Sequence, residues 1–165
     1  MPGRRSLVEL EIKQTKPFES TAIVPIISVM RTANLLERFY NSLLEAHDLT
    51  FQQFNVLTIL RGAEPKGHPT LEVANRLIAA APGVTRLIDR LVKKRLVKRR
   101  RGPDRRQVIC RITPAGLELL ADIYPTLIAA DDAVMAPLSK AERVALTGLL
   151  DRVRGPLLHP TSPAE

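Results

Sequence analysis

The chain has 165 residues, 45% of them apolar and 25% charged, a balance that suits one core-forming domain with added helices better than two independent domains. Aromatics make up 4% with no Trp, which favours packed helices over an all-β sandwich, and a single cysteine, Cys110, excludes a disulfide framework and any multi-thiolate metal site. The net charge of +8 is concentrated: from Arg86 to Arg106 eleven basic residues stand against Asp89 and Asp104, and the remainder is close to neutral. Such a patch points to a polyanion, nucleic acid first and an anionic membrane surface second.

Residues 1–20 read as an N-terminal arm, basic at Arg4 and Arg5, with a strand-like alternation of Val8, Leu10 and Ile12 ahead of Pro17. From Pro25 apolar residues recur at Ile26, Val29, Ala33, Leu36, Tyr40 and Leu43, a helical stripe that ends near His47. Thr50 and Gln53 form a capping box that opens a second helix at Phe51, with Gly62 as its stop. The stretch from Ala63 to Pro69 reads as loop. Thr70 then caps a short helix carrying Val73, Ala74, Leu77 and Ile78.

Pro82 suits the first turn of a fourth helix running to about Lys94, with Val84, Leu87, Ile88 and Leu91 inward and Thr85, Arg86, Asp89, Arg90 and Lys93 outward. After Leu96 and Val97 comes the basic run, a Gly102-Pro103 turn, and then Val108, Cys110 and Ile112 alternating with Gln107, Ile109 and Arg111. The period has changed to two, which signals a hairpin. Thr113 and Pro114 start a fifth helix bent at Pro125, and Ser139 with Glu142 caps a sixth that carries Val144, Leu146, Leu149, Leu150 and Val153. The predicted fold is mainly α with a small β-hairpin, a winged helix-turn-helix domain at residues 50–113 flanked by helices at 21–49 and 114–155. Residues 156–165 read as a disordered tail.

The helix from Pro82 to Lys94 has the size to lie in a DNA major groove about 12 Å wide. Arg86 and Arg90 are the candidates for bidentate contacts to guanine edges; Thr85 and Lys93 are the candidates for phosphate contacts, which position without specifying. At the hairpin tip Asp104 can orient Arg106 toward a minor groove, and Lys98, Arg99, Arg100, Arg101 and Arg105 can neutralise phosphates. The bland alternatives are a solvated helix face and a solubilising charge run.

The run VTRLIDRLVKKRLVKRR from Val84 and the run DRRQVICRITPAG from Asp104 resemble the MarR family of winged helix-turn-helix regulators, whose wing motif is Asp-x-Arg, three residues, Val, one residue, Leu-Thr, two residues, Gly. Asp104, Arg106, Thr113 and Gly116 match outright; Cys110 stands at the Val position and Ile112 at the Leu position. Two departures are an Arg95 where the family commonly has Gly, and a slightly shorter segment between Val97 and Asp104. The resemblance spans about Pro25 to Val153. It implies a homodimer held by the first and last helices, hence dimerisation helices at 21–49 and 114–155, on a palindromic double-stranded operator. It also implies, for many members, repression relieved by a small amphipathic or aromatic anion.

Cys110 alternates onto the apolar face of the hairpin, where a small buried hydrophobe is the better reading than an oxidant sensor. His47, His68 and His159 have no ligand spacing, and no phosphate loop, nucleophile elbow or paired-carboxylate motif occurs, so neither metal, cofactor nor enzyme is expected. Arg31 and Arg38, a heptad apart on the first long helix, could meet an anion, though solvated side chains are the simpler reading. No stretch is apolar enough to span a bilayer and no secretory leader is evident, which makes the expected location cytoplasmic, without membrane association. The competing functional reading is a non-specific architectural or RNA-binding winged-helix protein, for which the basic run alone would suffice.

Overall fold

The computed structural model describes residues 5–79, 83–102 and 107–158. Its elements run α1 (Leu7–Glu11), α2 (Ile23–Leu44), a 3-10 turn (Glu45–His47), α3 (Phe51–Gly62), β1 (His68–Pro69), α4 (Thr70–Arg76), α5 (Val84–Lys93), β2 (Val97–Arg101), β3 (Val108–Ile112), α6 (Pro114–Met135) and α7 (Lys140–Leu158). The chain divides into two compact units, Met1–Ile123 and Tyr124–Glu165, with the boundary inside α6. Among the described residues no helix is long and apolar enough to cross a membrane.

In the first unit the α3 capping signal acts where it was expected. Thr50 Oγ1 accepts from the Gln53 N–H at 3.2 Å while Gln53 Oε1 accepts from the Thr50 N–H at 3.0 Å, so two orphan donors of the α3 start are satisfied reciprocally. The α3 bounds, Phe51–Gly62, coincide with the predicted ones. Leu44, Val56, Leu57, Leu60, Val73, Ile88, Leu91 and Cys110 are wholly buried and form the core on which the sheet and α5 rest.

Several elements differ from the sequence reading. The alternation of Val8, Leu10 and Ile12 does not make a strand: residues Leu7–Glu11 are helical, started by a second capping box in which Glu9 accepts from the Ser6 backbone N–H at 2.8 Å. A local cap outweighs a three-residue alternation, and Arg31 of α2 then donates to Glu11 at 2.8 Å, joining α1 to α2. The sheet has three strands in the order β1-β3-β2, because His68 and Pro69, expected as loop, pair antiparallel with Cys110 and Ile109. Gly67 makes this possible: at φ +75° a Cβ there would lie 2.4 Å from the Cys110 carbonyl oxygen. Helix α4 begins at Thr70 itself, with Pro69 as N-cap, and ends at Arg76, which leaves Ile78 73% exposed rather than on a buried face.

The second unit holds the C-terminal part of α6, continuous through Pro125, and α7. Ser139 and Glu142 make the expected box: Glu142 Oε2 accepts from the Ser139 N–H at 2.8 Å and from its hydroxyl at 2.7 Å. These bonds hold the Glu142 carboxyl below its ordinary pKa, the hydroxyl bond contributing most. Helix α7 continues to Leu158 with Pro156 inside it, so residues 156–158 belong to the helix and not to the tail.

Candidate nucleic-acid interface

Helix α5 has two unlike faces. Leu87, Ile88 and Leu91 are buried, whereas Thr85, Arg86, Arg90 and Lys93 are exposed. Steps of four and three residues put the three cations on one side, so the helix shows water a cationic, hydroxyl-bearing surface while its other side joins the core. Pro82, expected in the first turn, lies outside the described residues, as do Asp104, Arg105 and Arg106 of the hairpin tip. The N-cap is Gly83, in left-handed backbone at φ 86°.

The far end of α5 is closed by its neighbours. The Leu96 N–H donates to the Leu91 carbonyl at 3.0 Å and the Arg95 N–H to the Val92 carbonyl at 2.9 Å, a Schellman pair with Arg95 at φ 61° in the position that favours glycine. The Thr113 hydroxyl donates to the Arg95 carbonyl at 2.8 Å and accepts from the Gly116 N–H at 3.1 Å. A Cβ on Gly116 would stand 2.6 Å from the Leu96 carbonyl oxygen. The Thr113-x-x-Gly116 pair thus ties the end of α5 to the first turn of α6. Lys94 adds an ion pair to Asp48 at 2.9 Å. Within the turn from α4 to α5, the buried Asn55 of α3 accepts from the Ile78 N–H at 2.9 Å. Sequence reasoning missed Asn55; its signal was one polar residue between Phe54 and Val56 in an apolar run.

Strand β2 carries Lys98, Arg99, Arg100 and Arg101, all exposed, paired in register with Arg111, Cys110, Ile109 and Val108. Successive side chains leave opposite faces of the strand. Arg99, opposite the buried Cys110, turns to α5: it pairs with the Asp89 carboxylate and its Nη2 donates to the Thr85 carbonyl at 3.2 Å. Asp89, expected among the outward residues of α5, is therefore the partner of a strand arginine. On the other face Arg100 donates to the Lys66 carbonyl at 3.2 Å, and Arg111 grips Glu64 with two bonds of 2.7 and 3.2 Å. The Arg111 bond, more than the neighbouring charges of Arg111, Lys98 and Arg100, holds the Glu64 carboxyl below its usual range. The Arg111 guanidinium is raised by the same bond. Cys110 is fully buried with Thr70 Oγ1 3.6 Å from its sulfur, as its apolar-face position implied.

A helix-turn-helix arrangement is thus assembled: a short helix, a turn, a two-faced cationic helix and a basic hairpin strand, tied together by side-chain bonds. The family model described as "Transcriptional regulator SarA/Rot" matches residues 38–123. The chain is 31% identical to the HTH-type transcriptional regulator MhqR of Bacillus subtilis over 77% of its own length and 87% of the relative's. A solved MarR transcription factor from Planctomyces limnophilus is 33% identical, with 82% of this chain and 98% of that one covered and a TM-score of 0.63.

This chain belongs to the MarR family of transcriptional regulators.

The same fold, at 19% identity and a TM-score of 0.73 over 84% of this chain and 99% of the other, occurs in the S. aureus MepR–DNA complex. As a MarR-family protein the chain is a DNA-binding regulator of transcription with a winged helix-turn-helix, and the proteins it matches are regulators rather than enzymes.

Proposed function

We propose that the regulator is a cytoplasmic homodimeric repressor without catalytic activity, which occupies a palindromic operator by placing α5 of each protomer in successive major grooves. The observation that carries this reading is the exposed row of Arg86, Arg90 and Lys93 on a helix whose opposite side is buried core. Arg86 and Arg90 read guanine edges; Thr85 and Lys93 hold phosphates; Lys98, Arg100 and Arg101 of β2 follow the adjacent backbone. Arg106, oriented by Asp104 and assisted by Arg105, enters a minor groove, an assignment that rests on the sequence motif. The dimer is supported by exposed apolar side chains on α2 (Ile26 55%, Met30 68%) and on α7 (Val144 68%, Leu149 56%, Val153 54%), surface that a monomer would leave wet. The family resemblance adds release by a small amphipathic or aromatic anion, which must bind the DNA-competent and incompetent states with different affinity.

Selection of bound duplexes from a randomised DNA pool at physiological salt tests the reading. Enrichment of a palindrome with half-sites about 34 Å apart is expected; uniform recovery of all sequences would replace it with the architectural or RNA-binding alternative. On the selected duplex Arg106→Ala should cost about 1–3 kcal/mol, and unchanged affinity would remove the wing assignment. Truncation after Leu138 should abolish the dimer in sedimentation.

A further inference from the structure

An acidic residue on a helix that meets a polyanion is a liability unless something else requires it. Asp89 sits beside Arg90 and three residues beyond Arg86, within the cationic surface of α5. Its carboxylate is taken up by Arg99, whose guanidinium also reaches the Thr85 carbonyl at 3.2 Å. One planar fork therefore grips two points of α5 that are four residues apart, on one face of the helix. Among the described residues β2 is an edge strand, hydrogen-bonded to β3 in the order β1-β3-β2. The inner edge of β2 is fixed by the ladder. Its relation to α5 beyond the Arg95 turn depends on side chains, and a slide or rotation of α5 along β2 breaks both Arg99 bonds together.

We propose that Asp89 and Arg99 are a positioning pair that sets the angle between the recognition helix and the wing strand and thereby the discrimination between operator and other DNA. The proposal rests on the reading above, in which α5 and the wing touch DNA at the same time. Arg99 then spends its charge inside the protein, not on a phosphate, and Asp89 serves binding although its charge opposes DNA. A ligand read at two grooves at once tolerates little error in the spacing of its two readers, whereas contact with phosphates of any sequence tolerates much.

The pair makes a prediction opposite in sign to simple electrostatics. If Asp89 were merely an acid near DNA, its removal would tighten binding to every duplex. The full-length protein is titrated, over a series of salt concentrations, with the duplex recovered by the wild type from a randomised pool and with a scrambled duplex of equal composition. Asp89→Asn and Arg99→Gln are each expected to lower the affinity ratio of selected to scrambled duplex about tenfold, with the double variant no worse than either single one. Arg99→Lys, which keeps the charge but not the fork, should leave the ratio low while scrambled-duplex affinity and salt slope stay at wild-type values. Asp89→Glu should recover most of the ratio. Thermal melts check that each variant is folded.

The proposal is overturned if Asp89→Asn binds the selected duplex as well as or better than the wild type, if Arg99→Lys behaves as wild type, or if the two losses add. It is equally overturned if Arg99→Gln weakens both duplexes alike and lowers the salt slope by about 0.9, the signature of a phosphate contact. A wild type that selects no duplex at all removes the two-groove reading itself, and the pair's role with it; a wild type that selects while the variants select equally well removes only the pair.

Discussion

Helices α3 and α5 are similar in length, 12 and 10 residues, yet they are held in place by different means. Helix α3 starts on its own capping box and places Gln53, Asn55, Val56, Leu57 and Leu60 in buried positions. Helix α5 starts on a glycine, ends on an arginine in left-handed backbone, and is fixed from outside by Thr113, Asp48, Arg99 and the sheet. On the proposed reading α5 must leave one face wet for DNA, and it gives up the burial that anchors α3. Its position is then set by bonds to several other elements. Helix α3 is specified by its own sequence; α5, with one face left to solvent, is specified by its neighbours.

The contrast breaks most deeply at Leu91, the wholly buried residue on the inner side of α5. Leu91→Ala should destabilise the fold by about 2–5 kcal/mol in denaturant titration, whereas Arg90→Ala on the opposite side should leave stability within about 0.5 kcal/mol and appear only in DNA affinity. A stability loss of equal size at Arg90 would refute the two-faced description. The next test removes the outside support. Gly116→Ala forces a Cβ against the Leu96 carbonyl oxygen and should cost about 1–3 kcal/mol, read as a lowered Tm, because backbone on both sides has to move.

On the α3 side, Thr50→Ala should cost about 1 kcal/mol through the lost cap and should leave the ratio of specific to non-specific DNA binding as it was. A changed ratio would show that α3 also sets how α5 reads. Arg95→Gly should stabilise the fold by about 0.5–1 kcal/mol, since glycine takes the φ of 61° without a Cβ penalty; a loss would mean that the Arg95 side chain has a structural partner.

The smallest effect is electrostatic. Glu64 is lowered in the fold by the Arg111 bond, so its contribution is fully present above the unfolded carboxylate pKa near 4.3 and fades as pH falls through the lower folded value. Glu64→Gln should flatten the acid limb of the Tm-versus-pH curve and leave the shape of the curve above pH 6 unchanged. An unaltered acid limb would remove Glu64 as a contributor.

The parts of the molecule legible in the sequence are those governed by neighbours three or four residues apart. The boxes Thr50/Gln53 and Ser139/Glu142 fixed where α3 and α7 begin, and the apolar spacing of Leu87, Ile88 and Leu91 gave the inner side of α5. The same kind of signal stands at Ser6 and Glu9, where it prevails over an alternation too short to form a strand alone. The cationic side of α5 was legible because burial of one side dictates exposure of the other.

What the sequence by itself determined was therefore the succession of the longer helices and the hairpin, the starts of α3 and α7, the place of the charge and the family motif around Thr113 and Gly116. Only the tertiary structure decided that His68–Pro69 is a strand, that Asn55 holds the turn at Ile78, and that Glu64 meets Arg111. It also decided that Asp89 belongs to Arg99 rather than to solvent. Each of these joins residues ten or more positions apart, where no local preference selects the partner. The choice is made when close packing brings two chain segments within hydrogen-bond reach and a buried or half-buried polar group has to be satisfied by whatever then lies beside it.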